Sequence, residues 1–282
     1  MGADTSVEHV IGPYRITAAT AFGPRLLGLS MYGAGDMFAR LPADVVIERA
    51  DGDFHFRGGH RLWAGPERPA TTYAPDDHAC VVTTGPDALT VQAPPDAAGL
   101  IKRLEVSVTN SSGLSVDHRL TNGGAGEIRI APWAITQLAL GGTALLPLGA
   151  SSGLDEPQPD RSLVLWPYTS LADSRISWSD RAVAIEASPG PRLKLGSGPN
   201  PRRLGYLRDG FLFMKETETA IGDYPDRGAV GQVFVADQFC ELETVGVLAL
   251  LAPGDTAAHR ETWHLTPCAD LEAAHRLVGG TS

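Results

Sequence analysis

Two stretches of the sequence hold the residue types that acid/base chemistry on a small polar molecule requires. The first is Arg57-Gly-Gly-His-Arg-Leu-Trp-Ala-Gly-Pro-Glu67. Its paired glycines, Gly58 and Gly59, let a backbone approach a ligand closely. A histidine ordinarily titrates near neutral pH, which makes His60 the candidate acid or hydrogen-bond donor. Arg61 carries a fixed fork of donors suited to vicinal hydroxyls or a carboxylate. Trp63 can stack on the apolar face of a sugar ring, or simply pack. The second stretch is Phe239-Cys-Glu-Leu-Glu-Thr-Val245. Strand alternation puts Glu241 and Glu243 on one face, roughly 7 Å apart. A carboxylate in an apolar cleft holds its proton more tightly, which suits a base or acid working near neutrality. The plainer alternatives are a surface loop anchored by Trp63 and a solvated face above Cys240 and Leu242.

Three further side chains join the candidate binding set. Trp133 and Trp166 sit beside prolines near strand ends, where aromatic rings can line a sugar cleft. Lys215 is turned away from Met214 by alternation and is either a functional cation or an exposed lysine. Trp178 reads as core, Asp173 and Arg175 as a surface pair, and His259-Arg-Glu261 as structural. The sequence has no glycine-rich phosphate loop and no nucleophile elbow.

The elements that must position these residues are almost all strands. Ile101–Thr109 and Leu114–Leu120 alternate around the turn Asn110-Ser-Ser-Gly113. Similar runs recur from Tyr14 to Leu265, separated by glycine- and proline-rich turns. That spacing predicts a large antiparallel β-sandwich, all-β, with no alternating βα units. One helix is expected, Asp270–Leu277, capped by Asp270 and stopped at Gly279-Gly280. The longest expected loops are Arg57–Asp77 and Gly149–Arg161. No break in composition divides residues 1–282, so a single domain is expected.

The chain has 282 residues and a formal net charge of −10, with no basic run, so nucleic acid is not an expected partner. No apolar stretch is long enough to cross a bilayer, and no membrane partner is expected. The first residues lack a basic region followed by an apolar one, so the expectation is a cytoplasmic protein. The three cysteines, Cys80, Cys240 and Cys268, match no zinc or redox spacing and read as free thiols. No metal or cofactor is expected.

Taken in order, these features resemble the galactose mutarotase-like superfamily, which includes the aldose 1-epimerases. The resemblance rests on Tyr14-Arg-Ile-Thr17, Leu26-Leu-Gly-Leu29, Gly35-Asp-Met-Phe38, Leu114–Asn122, Cys240-Glu-Leu-Glu-Thr244 and Leu251-Ala-Pro-Gly-Asp255. It implies one concave sheet that meets a sugar, with Glu243 as the base on the anomeric hydroxyl. His60 and Arg61 lie near the family's early histidine and binding arginine. The chain departs from the pattern where the family's acid histidine belongs, since Ala131-Pro-Trp-Ala-Ile-Thr136 contains none. The expected activity is aldose 1-epimerase-like, with Glu243 and His60 catalytic and Arg61, Trp63, Trp133, Trp166, Glu241 and Lys215 binding. The alternative is a non-catalytic carbohydrate sensor. A third reading is a lyase using Tyr168 or Tyr224.

Overall fold

A computed structural model describes residues 5–50, 52–109, 113–149, 155, 157–198 and 203–279. Two ten-stranded, antiparallel sheets pack face to face around one large apolar cluster. The first sheet runs, in spatial order, Ser6–Ile11, Tyr14–Ala19, Arg25–Met31, Gly59–Gly65, Ile128–Leu138, Cys240–Val245, Gly231–Val235, Leu193–Ser197 and Leu163–Leu165. Ala249–Leu251 adds to the other end of the long Ile128–Leu138 strand. The second sheet runs Ile176–Trp178, Ala182–Glu186, Thr143–Pro147, Arg203–Arg208, Phe211–Thr217, Thr256–Pro267, Leu114–Asn122, Leu100–Val108, Ala88–Gln92 and Val81–Gly85. This is the expected β-sandwich. The predicted turn residues Asn110, Ser111 and Ser112 lie outside the described residues, but the strands they join pair as anticipated.

Alternation explains most strands of the second sheet. In Thr256–Pro267 the residues Ala257, His259, Glu261, Trp263 and Leu265 are buried, and most of their neighbours are not. In Leu114–Asn122 the same parity buries Leu114, Val116, His118, Leu120 and Asn122. The expected helix forms at Leu271–Gly279, with Asp270 Oδ1 accepting the Ala273 N–H at 2.8 Å as an N-cap. Its Ala274 and Val278 pack with Leu145, Ala184 and Leu212.

The main correction concerns the segment after Arg57. Residues Gly59–Gly65 are a central strand buried along its whole length, where the sequence reads as a loop. Gly58 and Gly59 have φ of +82° and +75°, and the chain turns tightly there into the sheet. A Cβ would lie 1.9 Å from Ala39 O at Gly58 and 2.2 Å from Leu26 O at Gly59, so the glycines serve backbone packing. Trp178 is also corrected: it is 47% exposed, because only Ile176 of its short edge strand is buried. Arg175, expected at the surface, is buried and tied to Asp173 at 2.7 Å.

Between the sheets lies a polar cluster within the apolar core. His60 Nε2 meets His118 Nε2 at 2.7 Å, and His60 Nδ1 meets Thr136 Oγ1 at 2.8 Å. His118 Nδ1 donates to His259 O, so its Nε2 is the acceptor and His60 Nε2 the donor. Lys215 Nζ reaches Glu261 Oε1 at 2.8 Å and the carbonyls of Ala134 and Leu242. Glu261 also accepts from Thr244 Oγ1 and from Trp263 Nε1. Lys215 is therefore neither an exposed lysine nor a ligand-facing cation; it is an interior partner of Glu261.

Burial, aided by the neighbouring positive groups, holds the ring nitrogens of His60 well below the usual histidine range and pushes His259 down to about 3. Burial likewise lowers His118, against the pull of Glu261. These imidazoles stay neutral in the folded chain and take up protons on unfolding. Stability is thus complete above the ordinary histidine value of 6.5 and is lost as pH falls from there toward about 3. Urea midpoints at successively lower pH are expected to decline over that window; a flat profile would show that the rings bind protons in the folded state. Lys215→Met or Glu261→Gln alone leaves one buried charge unpaired and is expected to cost about 3–5 kcal/mol. The double variant is expected to recover part of that loss, as read by the same denaturation.

Candidate functional site

The outward face of the first sheet holds the other set of buried charges. In an antiparallel pair, residues directly opposite share a face. One row therefore runs Arg25, Arg61, Ile135, Glu243, Gln232 across five strands. The next row is Gly59, Gln137, Glu241, Phe234, Lys194. A third is Trp63, Trp133, Val245. His60 pairs instead with Thr136 and so with Leu242, all on the inward face. The expected convergence of His60 and Glu243 on one cleft is overturned, because they occupy positions of opposite parity.

The outward rows are knit by ion pairs. Arg61 Nη2 donates to Glu241 Oε1 at 2.9 Å, and Gln137 Nε2 reaches the same oxygen at 3.0 Å. Lys194 Nζ and Trp133 Nε1 both donate to Glu243 Oε2 at 2.8 Å. The Lys194 ammonium lies 4.8 Å from the Trp133 ring centroid and 4.7 Å from that of Trp166. Arg61 stacks 4.1 Å above Trp63. Trp166 can lie against the sheet because Gly196 stands beneath it; a Cβ there would be 3.2 Å from the indole. Phe54, Phe56 and Tyr73 close over Trp63, forming a small apolar cluster with Trp133, Ile135 and Val245.

Several buried polar atoms here lack any hydrogen-bond partner among the described residues. They are Glu243 Oε1, Arg61 Nε and Nη1, Gln137 Oε1 and Gln232 Oε1. Each unpartnered buried group costs about 1–3 kcal/mol unless something outside these side chains supplies a partner. The set combines donors with acceptors. Burial raises the Glu243 carboxyl to about 7; Lys194 opposes the rise and Glu241 adds to it. Burial also lowers the Arg61 guanidinium, against the pull of Glu241.

The outward site thus unites Arg61, Trp63, Trp133, Trp166, Glu241 and Glu243 from the sequence reading. It excludes His60 and Lys215. Lys194, Gln137 and Gln232 went unread; the only local signal was Lys194 between two apolar residues, which fixes an outward face and nothing more. Tyr168 packs edge-on to Phe234, and burial raises its phenol. Tyr224 lines a separate cleft of about 350 Å³ with Val247, His259 and Arg260, and its hydroxyl donates to Ala220 O.

The only candidate metal-ligand cluster among the described residues is His60, His118 and Glu261, whose ligand atoms lie within 4.8 Å of one another. Its chemistry does not fit a cation. Both Glu261 oxygens already accept hydrogen bonds, and the Lys215 ammonium stands against one of them.

No protein-family model matches the sequence, and no curated protein sequence matches it. Solved structures do resemble it. A galactose mutarotase-like protein from Lactobacillus casei superposes with a TM-score of 0.59 at 11% identity, covering 93% of this chain and 100% of that one. A protein from Escherichia coli K12, described provisionally as an aldose 1-epimerase, gives 0.57 at 12% identity, covering 93% and 99%. A galactose mutarotase related enzyme from Lactobacillus acidophilus gives 0.51 at 10% identity, covering 94% and 98%. With two antiparallel sheets, a short C-terminal helix and near-complete overlap with these structures, the chain has the galactose mutarotase-like fold.

Proposed function

We propose that the protein binds a sugar on the outward face of its first sheet and exchanges the sugar's anomers, with Glu243 as general base. The observation that carries this reading is the free Glu243 Oε1, buried among the unpartnered atoms of Arg61, Gln137 and Gln232. A carboxyl raised to about 7 is half ionised near neutrality, where a base both exists in the needed form and holds a proton firmly. Trp166, partly exposed, offers a ring face to the apolar side of a pyranose, and Arg61 offers unpartnered N–H groups to its hydroxyls. The fold neighbours, described as mutarotase-like proteins, support a sugar as ligand. Neither a membrane nor a nucleic acid enters this proposal, and its setting is the cytoplasm.

One observation favours a second reading, a sugar sensor without turnover: no described hydrogen bond or ring contact brings a histidine to Glu243. Sugar-induced thermal stabilisation without anomer exchange would select it.

Anomer exchange of several aldoses, followed by NMR, tests the first reading. Glu243→Gln keeps the shape of the side chain and is expected to slow exchange about 10²–10⁴-fold. Equal rates in both proteins would remove Glu243 from the chemistry. The indole N–H of Trp133 favours the charged carboxylate. Trp133→Phe is therefore expected to move the Glu243 titration above about 7, as followed by the carboxyl ¹³C shift. A downward move would show that the indole does not hold the carboxylate.

A further inference from the structure

If Glu243 takes a proton from the anomeric hydroxyl, some other group must give one to the ring oxygen. His60 and His118 cannot, because they lie between the sheets with both ring nitrogens engaged, and His259 shares their inward face, its Nε2 bonded to Thr244 Oγ1 and its side chain lining the separate cleft beside Tyr224. Tyr168 has a phenol raised by burial, which makes it a weaker acid. Two donors touch Glu243: the indole of Trp133 and the ammonium of Lys194. An indole does not release its proton, whereas an ammonium can.

Lys194 is also held beside Glu243. Its backbone N–H donates to Thr169 Oγ1 at 2.9 Å, and that hydroxyl donates back to Lys194 O at 2.8 Å. Its Nζ stands between the two indole rings. The contrast with Lys215 is informative. Lys215 is saturated by a carboxylate and two carbonyls. Among the described residues, Lys194 Nζ donates only to Glu243. It retains N–H groups for a ligand, on a flexible four-carbon stem.

Resting on the anomer-exchange reading above, we propose that Lys194 is the general acid of that reaction. Glu243 Oε1 takes the proton of the anomeric hydroxyl, and the oxygen's electron pair forms the carbonyl. The bond from C1 to the ring oxygen breaks, its electrons pass to that oxygen, and Lys194 Nζ protonates it. The open-chain aldehyde turns about C1–C2. Closure returns one proton to Lys194 and one from Glu243 to the new anomeric oxygen, so both residues end as they began.

The test compares wild type, Lys194→Met and Lys194→Arg in the same exchange assay, with sugar-induced thermal shifts measured in parallel. The arginine keeps a cation beside Glu243 but retains its proton at all working pH values. Both variants are expected to exchange anomers about 10²–10⁴-fold more slowly than wild type while still binding sugar. A Lys194→Arg protein that matches the wild-type rate would overturn the proposal, leaving the role of Glu243 intact. A wild type inert toward every aldose would overturn the anomer-exchange reading together with it. Arginine preserves the ion pair that folding uses, so its result stands even where the methionine variant fails to fold.

Discussion

Parity within the three central strands of the first sheet governs everything else in this molecule. Because opposite residues in an antiparallel pair share a face, one register assigns Arg61 and Glu243 to the outside and His60, Thr136 and Leu242 to the inside. A slip of one residue would exchange the two sets. Charges would then meet the apolar interior without partners, at a cost of several kcal/mol for each ion. The register is consequently locked from both sides, by the carboxylate–cation pairs above the sheet and by the histidine chain below it.

The two polar assemblies differ in one respect that separates structure from function. Below the sheet, Lys215, Glu261, His118 and their neighbours satisfy one another, so the cluster is complete without a ligand. Above it, Glu243 and Glu241 are paired, yet several donors and acceptors around them have no partner. A saturated network gives a core its single arrangement. An unsaturated one at the same depth leaves free groups that gain most when another molecule supplies what they lack, and the proposed sugar site rests on that difference.

Much of this was legible in the sequence, and the limits have a physical origin. Alternation in Leu114–Asn122 and Thr256–Pro267 identified strands because it is local, and the Asp270 cap marked the helix for the same reason. The shared face of Glu241 and Glu243 followed from period two alone. The relation of His60 to Glu243 did not, since it depends on how the Gly59–Gly65, Ile128–Leu138 and Cys240–Val245 strands are registered across large sequence separations. His60-Arg-Leu-Trp also read as a loop because its flanking glycines mimic turn signals, while their real task is to fit beneath neighbouring carbonyls. Lys194 offered no motif at all; only its pairing with Phe234 sets it in the Glu241 row, next to the row of Glu243.

The crowding around Gly58 and Gly59 has a consequence for how such a protein can change over time. With carbonyl oxygens standing 1.9 Å and 2.2 Å from where a Cβ would lie, neither position has space for even one methyl group. Substituting either of these two would dislodge the segment that carries Arg61 and His60 together, disturbing the outer ion pairs and the inner packing in one step. The narrowest latitude for evolutionary drift therefore belongs to two residues that have no side chain and take no part in any reaction.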